Sequence, residues 1–144
     1  MLVPSNILIE KSLKVGVVYK FCAPEFLNSS IWHYFIVIAI DGDENYLLVC
    51  TTQLTNRLNY FAKKNINPGS LAYITPTMNN GLTRDSYIDC NNYFTATKQL
   101  LINKYTDGKL QIAGDIDIAE YNNILEAIAL SETFDLPKYI LVFE

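Results

Sequence analysis

Residues 34–51 read YFIVIAIDGDENYLLVCT, and this stretch decides the fold. Residues 34–40 (YFIVIAI) are an unbroken apolar run of strand length, as expected for a strand buried on both faces. Asp41-Gly42-Asp43-Glu44-Asn45 is turn chemistry, because short polar side chains and glycine tolerate the tight backbone of a reversal. Residues 46–51 (YLLVCT) are again β-branched, aromatic and apolar. The reading is a β-hairpin at the centre of a sheet.

Working outward, residues 15–22 (VGVVYKFC) predict a strand that Pro24 stops. Residues 57–64 are compatible with a short helix, Pro68-Gly69 with a turn, and residues 71–74 with a strand ended by Pro76. Asn79-Asn80-Gly81 predicts another turn or an exposed loop. Residues 86–90 and 94–97 read as strand pieces around a bend or bulge at Asn91-Asn92. Asp107-Gly108 carries a hairpin signal leading into a strand over 109–112. Asp117 followed by Glu120 is a capping box, and Ile118, Tyr121, Ile124, Leu125 and Ile128 fall on one helical face. The apolar tail 139–143 (YILVF) predicts a last strand, available as a dimer edge. The expected fold is mainly β (α+β): a small curled sheet or barrel of short antiparallel strands, closed by a C-terminal amphipathic helix.

The chain has 144 residues, half of them apolar, which suits one compact domain over 1–144 and excludes wholesale disorder. The net charge of -4 excludes a globally basic nucleic-acid binder. Cys22, Cys50 and Cys90 show no CxxC or Cys/His spacing, so no zinc site and no disulfide scaffold is expected, but three small buried hydrophobes. No apolar run approaches membrane-spanning length. The N-terminus lacks the basic-then-apolar order of a signal peptide, so cytoplasmic residence is the expectation, and the Asn28-Ser29-Ser30 glycosylation pattern then carries no meaning. Dinucleotide, phosphate-loop, nucleophile-elbow, HExxH and EF-hand motifs are all missing, so no metal or cofactor is implied.

Charge is unevenly spread. Residues 51–84 contain no acid and carry Arg57, Lys63, Lys64 and Arg84, a local +4, whereas the remainder is -8. Tyr60, Phe61, Tyr73 and six asparagines, among them Asn56 and Asn80, share that stretch. Cations position phosphates, aromatic faces stack bases and amides read base edges, a combination that fits single-stranded RNA. The plain alternative is a pair of solvated polar loops. His33, the one histidine, is a candidate acid or base, against a merely structural role at a strand start. The hydroxyls of Thr51-Thr52 could bind phosphate, against ordinary strand-end propensity. Asp85 and Asp89 could each supply a carboxylate, against the usual solvated loop acid.

The order of these pieces resembles the MazF/PemK-like toxin family. The likeness rests on Val15-Gly16-Val17-Val18-Tyr19, on residues 31–40, on residues 46–53 with Cys50-Thr51-Thr52, on residues 85–88 through Lys98-Gln99-Leu100-Leu101, and on residues 120–131 (EYNNILEAIALS). The resemblance implies an SH3-like barrel, a homodimer and an antitoxin partner; this sequence departs from the family pattern by a polar basic insertion at about 52–84. The resemblance also implies cleavage of single-stranded RNA without metal, by attack of the ribose 2′-hydroxyl to leave a 2′,3′-cyclic phosphate. The family's Arg-Pro at the second strand is replaced here by His33-Tyr34. On that pattern His33 would act as acid or base, Arg84 or Arg57 would steady the phosphorane, and Thr52 would hold a phosphate oxygen. Arg57, Tyr60, Lys63, Lys64 and Asn80 would bind the RNA. The alternative is a non-catalytic SH3-like module that binds RNA or protein.

Overall fold

A computed structural model describes residues 3–27 and 30–143; the first two positions of the glycosylation pattern lie outside them. The helices are α1 (Ser5–Ser12), α2 (Pro24–Leu27), α3 (Leu54–Lys64), α4 (Lys98–Thr106) and α5 (Ile118–Ala129). The strands are β1 (Val17–Cys22), β2 (Trp32–Asp41), β3 (Glu44–Thr51), β4 (Leu71–Ile74), β5 (Ser86–Asp89), β6 (Phe94–Thr97) and β7 (Leu110–Asp115). The protein is α+β. Its seven strands form one antiparallel sheet in the order β4-β5-β3-β2-β1-β7, with β6 also paired to β3.

The central hairpin is as the sequence predicts. Asp41 pairs with Glu44 across a two-residue turn, and Gly42 at its first position has φ +62°, which only glycine adopts without strain. β3 is longer than either neighbour on its outer edge. Its first half pairs with β6 and its end, Cys50-Thr51, with β5. The sheet therefore turns from one layer into a second one along β3.

Alternate residues of β1–β3 enter two different cores, the expected consequence of strand periodicity. Val18, Ile36, Ile38, Leu48 and Cys50 face α5, where Tyr121, Ile124 and Ile128 cover them. The Tyr121 hydroxyl donates to the Ile38 carbonyl at 2.8 Å, tying α5 to the middle of β2. Val17, Tyr19, Phe21, Phe35, Val37 and Leu47 face the other way, under Ile9 of α1 and Leu101 of α4. Neither α1 nor α4 is predicted from the sequence. Lys98-Gln99-Leu100-Leu101 is the first turn of α4 and not a strand; the Thr97 hydroxyl caps it by accepting from the Leu100 N–H at 3.1 Å. Asp107-Gly108 then closes that helix and is no hairpin turn: Gly108, at φ +72°, donates to the Tyr105 carbonyl.

α5 starts as predicted. Asp117 accepts from the Glu120 N–H at 2.7 Å, and Glu120 accepts from the Asp117 N–H at 2.9 Å. The tail departs from expectation. Residues 139–143 pair with no strand; Lys138–Ile140 is a 3-10 turn, and Phe143 packs on Tyr121 with ring centroids 5.2 Å apart. Leu141 and Phe143 pack against the core while Tyr139 and Val142 stay exposed, and the tail forms no strand that could serve as an edge. Cys50 and Cys90 are buried as expected, but Cys22 is only half-buried, with its thiol on the Ser30 carbonyl.

No ladder joins β4 to β7, so the sheet is not a closed barrel. The loop after β4 spans the gap instead: the Asp115 N–H donates to the Asn79 carbonyl at 2.8 Å. A Cβ on Gly81 would run into the Ala113 carbonyl and one on Gly114 into the Asn79 carbonyl, so glycine is what permits this approach. Asn80 holds the loop. Its fully buried amide donates to the Thr75 carbonyl and to Glu120, and its oxygen accepts from the Thr77 and Leu82 N–H groups.

Candidate functional site

Where β3 gives way to α3, the chain leaves a cleft of about 400 Å³, lined by Leu27, His33, Val49, Thr51, Gln53, Asn56, Arg57 and Asp89. Each polar group has a local reason for its place. His33 stands near the start of β2, opposite Phe21 of β1. Its Nδ1 lies 3.0 Å from the Ile31 carbonyl oxygen. A carbonyl can only accept, so this bond requires the proton on Nδ1 and leaves Nε2 of the neutral ring with its lone pair. Thr51 ends β3, and its hydroxyl accepts from the Gln53 N–H at 3.1 Å, turning the chain into α3. One turn into α3, the Asn56 amide donates to the Gln53 side-chain oxygen at 2.7 Å.

Arg57 reaches from α3 to the last residue of β5. Its guanidinium lies 3.4 Å from the Asp89 carboxylate, which is 7 % exposed, while the Arg57 side chain is 35 % exposed. The guanidinium also sits over the Tyr60 ring, 4.8 Å from its centroid. Asp89 is itself fixed from behind: its other oxygen accepts from the Asn91 backbone at 2.9 Å and from the Asn91 amide at 2.8 Å. The Asn91 amide continues to the buried Ser70 hydroxyl at 2.8 Å. A chain of buried hydrogen bonds thus holds the carboxylate, and the carboxylate holds the arginine. The remaining guanidinium N–H groups have no protein partner among the described residues.

Of the residues singled out in the sequence, His33 and Arg57 meet in this cleft, and Tyr60 backs Arg57. Thr51 lines it, whereas Thr52 is exposed beyond the strand end. Lys63 and Lys64 are exposed on the last turn of α3. Arg84 lies five residues before Asp89, about 16 Å away along an extended chain. Asn80 and Phe61 are buried, so neither presents a face to a ligand. Asp89 is a buried strand residue and not a solvated loop acid. Gln53 carries no signal of its own in the sequence; only the folded turn after Thr51 brings it to the cleft.

Burial pushes the Cys50 and Cys90 thiols up to about 12, which removes both as nucleophiles. Among the described residues no three of His, Cys, Asp and Glu gather as a metal-binding set. No described helix is long and apolar enough to cross a membrane. Compared with protein-family models and with curated protein sequences, the chain matches none. Fold and site together define an α+β protein with an open cleft that brings an imidazole, a carboxylate-held guanidinium, a hydroxyl and two side-chain amides together.

Proposed function

We propose that the chain is an endoribonuclease of the toxin class, cutting single-stranded RNA in this cleft. The observation that carries the reading is the meeting of His33 with Arg57 and Thr51 around one opening. With Nδ1 held by the Ile31 carbonyl, Nε2 takes the proton from the ribose 2′-hydroxyl. The resulting oxygen attacks the adjacent phosphorus. Arg57 N–H groups meet the charge that builds on the phosphorane, and the Thr51 hydroxyl donates to a non-bridging oxygen. The bond to the 5′ oxygen breaks, that oxygen gains a proton through solvent, and a 2′,3′-cyclic phosphate remains. Base, cation and hydroxyl come from the side chains of the cleft and the last proton from solvent, so the scheme as written calls on no metal. The same reading keeps the cytoplasm as the place of action and an antitoxin protein as the partner that would hold the activity in check. A homodimer remains part of the reading, formed without the tail as an edge strand.

One observation favours a second reading. Asp89 neutralises Arg57, the one arginine that lines the cleft among the described residues, which suits a binding module for RNA as well as a nuclease. Incubating the purified chain with single-stranded RNA in the presence of EDTA separates the two. New 5′-hydroxyl ends select the nuclease, and bound but intact RNA selects the module.

A further inference from the structure

The cleft opens beside a row of residues that run straight across the second layer of the sheet. Thr51 of β3 pairs with Tyr87 of β5, and Tyr87 pairs with Tyr73 of β4. Direct cross-strand partners share one face. The flanking residues Cys50, Ile88 and Ala72 point into the core, so Thr51, Tyr87 and Tyr73 point outward. The two tyrosine rings lie stacked, with centroids 5.3 Å apart and planes 24° from parallel. Tyr73 is 46 % exposed. Its hydroxyl donates to Asp85 at 3.0 Å, which fixes the ring and occupies the one acid beside it in the turn before β5. Arg84 lies two residues before β5 in the chain, and Arg57 pairs with Asp89, the last residue of β5.

Two strand spacings separate Thr51 from Tyr73, about 10 Å, a reach that neighbouring nucleotides of an extended strand cover. A half-exposed tyrosine, held by a hydrogen bond and backed by a second stacked ring on the outward sheet face that continues to a polar cleft, matches the way single-stranded RNA is held by stacking. We propose that Tyr73 and Tyr87 form a stacking platform for a base flanking the scissile phosphate of single-stranded RNA. The inference rests on the RNA reading of the cleft and adds a subsite to it.

The test uses the full chain with His33→Ala, so that the RNA survives, and a seven-nucleotide RNA carrying 2-aminopurine at successive positions. Stacking quenches the probe, so quenching is expected at one position of the walk. Tyr73→Ala in this background should abolish that quench and weaken binding about tenfold, within the range of a single base–aromatic stack. Tyr73→Phe should keep both. Tyr87→Leu, which removes the ring behind Tyr73, should weaken the quench as well, and should it fail to fold, the two Tyr73 variants decide alone. Binding without quenching at any position, or an unchanged affinity in Tyr73→Ala, overturns the platform. Quenching by a chain whose wild-type form leaves RNA uncut removes the nuclease reading and with it the scissile phosphate, and supports the platform as the base-stacking site of an RNA-binding module. RNA cut by a wild-type chain whose Tyr73→Ala form binds normally overturns the platform alone.

Discussion

Arg57 is held 3.4 Å from Asp89, an acid that sits outside the acid-free stretch in sequence and inside the cleft in space. The local +4 read from residues 51–84 is therefore not a free field. One of its four charges is paired, and the others are dispersed over the end of α3 and the turn before β5.

This pairing predicts opposite salt responses for its two members. Each phosphate neutralised on a single strand contributes about 0.7 to the slope of log affinity against log salt. Arg57→Ala should flatten that slope by about this amount. In Asp89→Asn the side-chain oxygen keeps the Asn91 bonds and an amide group faces Arg57, which frees the arginine and steepens the slope. Titrations at several salt concentrations check both. Equal slopes in all three proteins would remove Arg57 from the binding face.

Asn80 belongs to the fold and not to the ligand. Asn80→Ala leaves the Thr77 and Leu82 N–H groups without their acceptor, at a cost of about 1–3 kcal/mol. Denaturant melts should show this loss, and RNA affinity measured under folding conditions should hardly move. An unchanged midpoint with weakened RNA binding would reverse the assignment.

The three thiols should divide by burial. Cys50 and Cys90 lie in the core with thiols pushed up to about 12, whereas Cys22 is half-buried near the surface. Native protein should react with a disulfide reagent at Cys22 alone, and unfolded protein at all three. Fast modification of Cys90 in the native state would contradict the packing of α5 over β5.

Lys104 of α4 bonds Glu25 of α2 at 2.6 Å and the Cys22 carbonyl at 2.8 Å, so it sets the position of α2 and hence of Leu27 in the cleft. Partial burial tends to raise the Glu25 carboxyl, but the Lys104 hydrogen bond and the Lys104 and Lys109 charges outweigh it and hold it below the usual range. A depressed carboxylate stabilises the fold above its unfolded value and loses that contribution as pH falls through the folded one. Glu25 is 41 % exposed, so Glu25→Gln should cost only about 0.5–1 kcal/mol at neutral pH. The difference from wild type should shrink as pH falls below the usual glutamate range and vanish once it has passed the lowered folded value. A difference that persisted in acid would mean packing and not charge.

Strong local periodicity made the central hairpin and α5 legible. The run over 34–40 also held a message that local reading left unused. A strand buried on both faces needs a cover on both, and one amphipathic helix covers only one. The second cover is α1 and α4, whose short, mixed sequences lack a clear apolar stripe; Asp107-Gly108 then imitates a hairpin where it ends a helix. In the site, His33 and Arg57 stood out by residue type. Asp89 looked like a loop acid because its burial depends on Asn91 and Ser70, partners that only the fold brings near. Thr51 rather than Thr52 lines the cleft because β3 ends at Thr51 and Thr52 lies beyond it, a boundary that a Thr-Thr pair does not mark.

The most direct measurement is the cleavage of single-stranded RNA by the wild-type chain and by His33→Ala in EDTA, with the ends mapped. The account predicts 5′-hydroxyl ends from the wild type and a fall of at least about a hundredfold in His33→Ala, the lower range for losing a general base, with unchanged thermal unfolding. Cleavage at the wild-type rate by His33→Ala, or none by either protein, would contradict it.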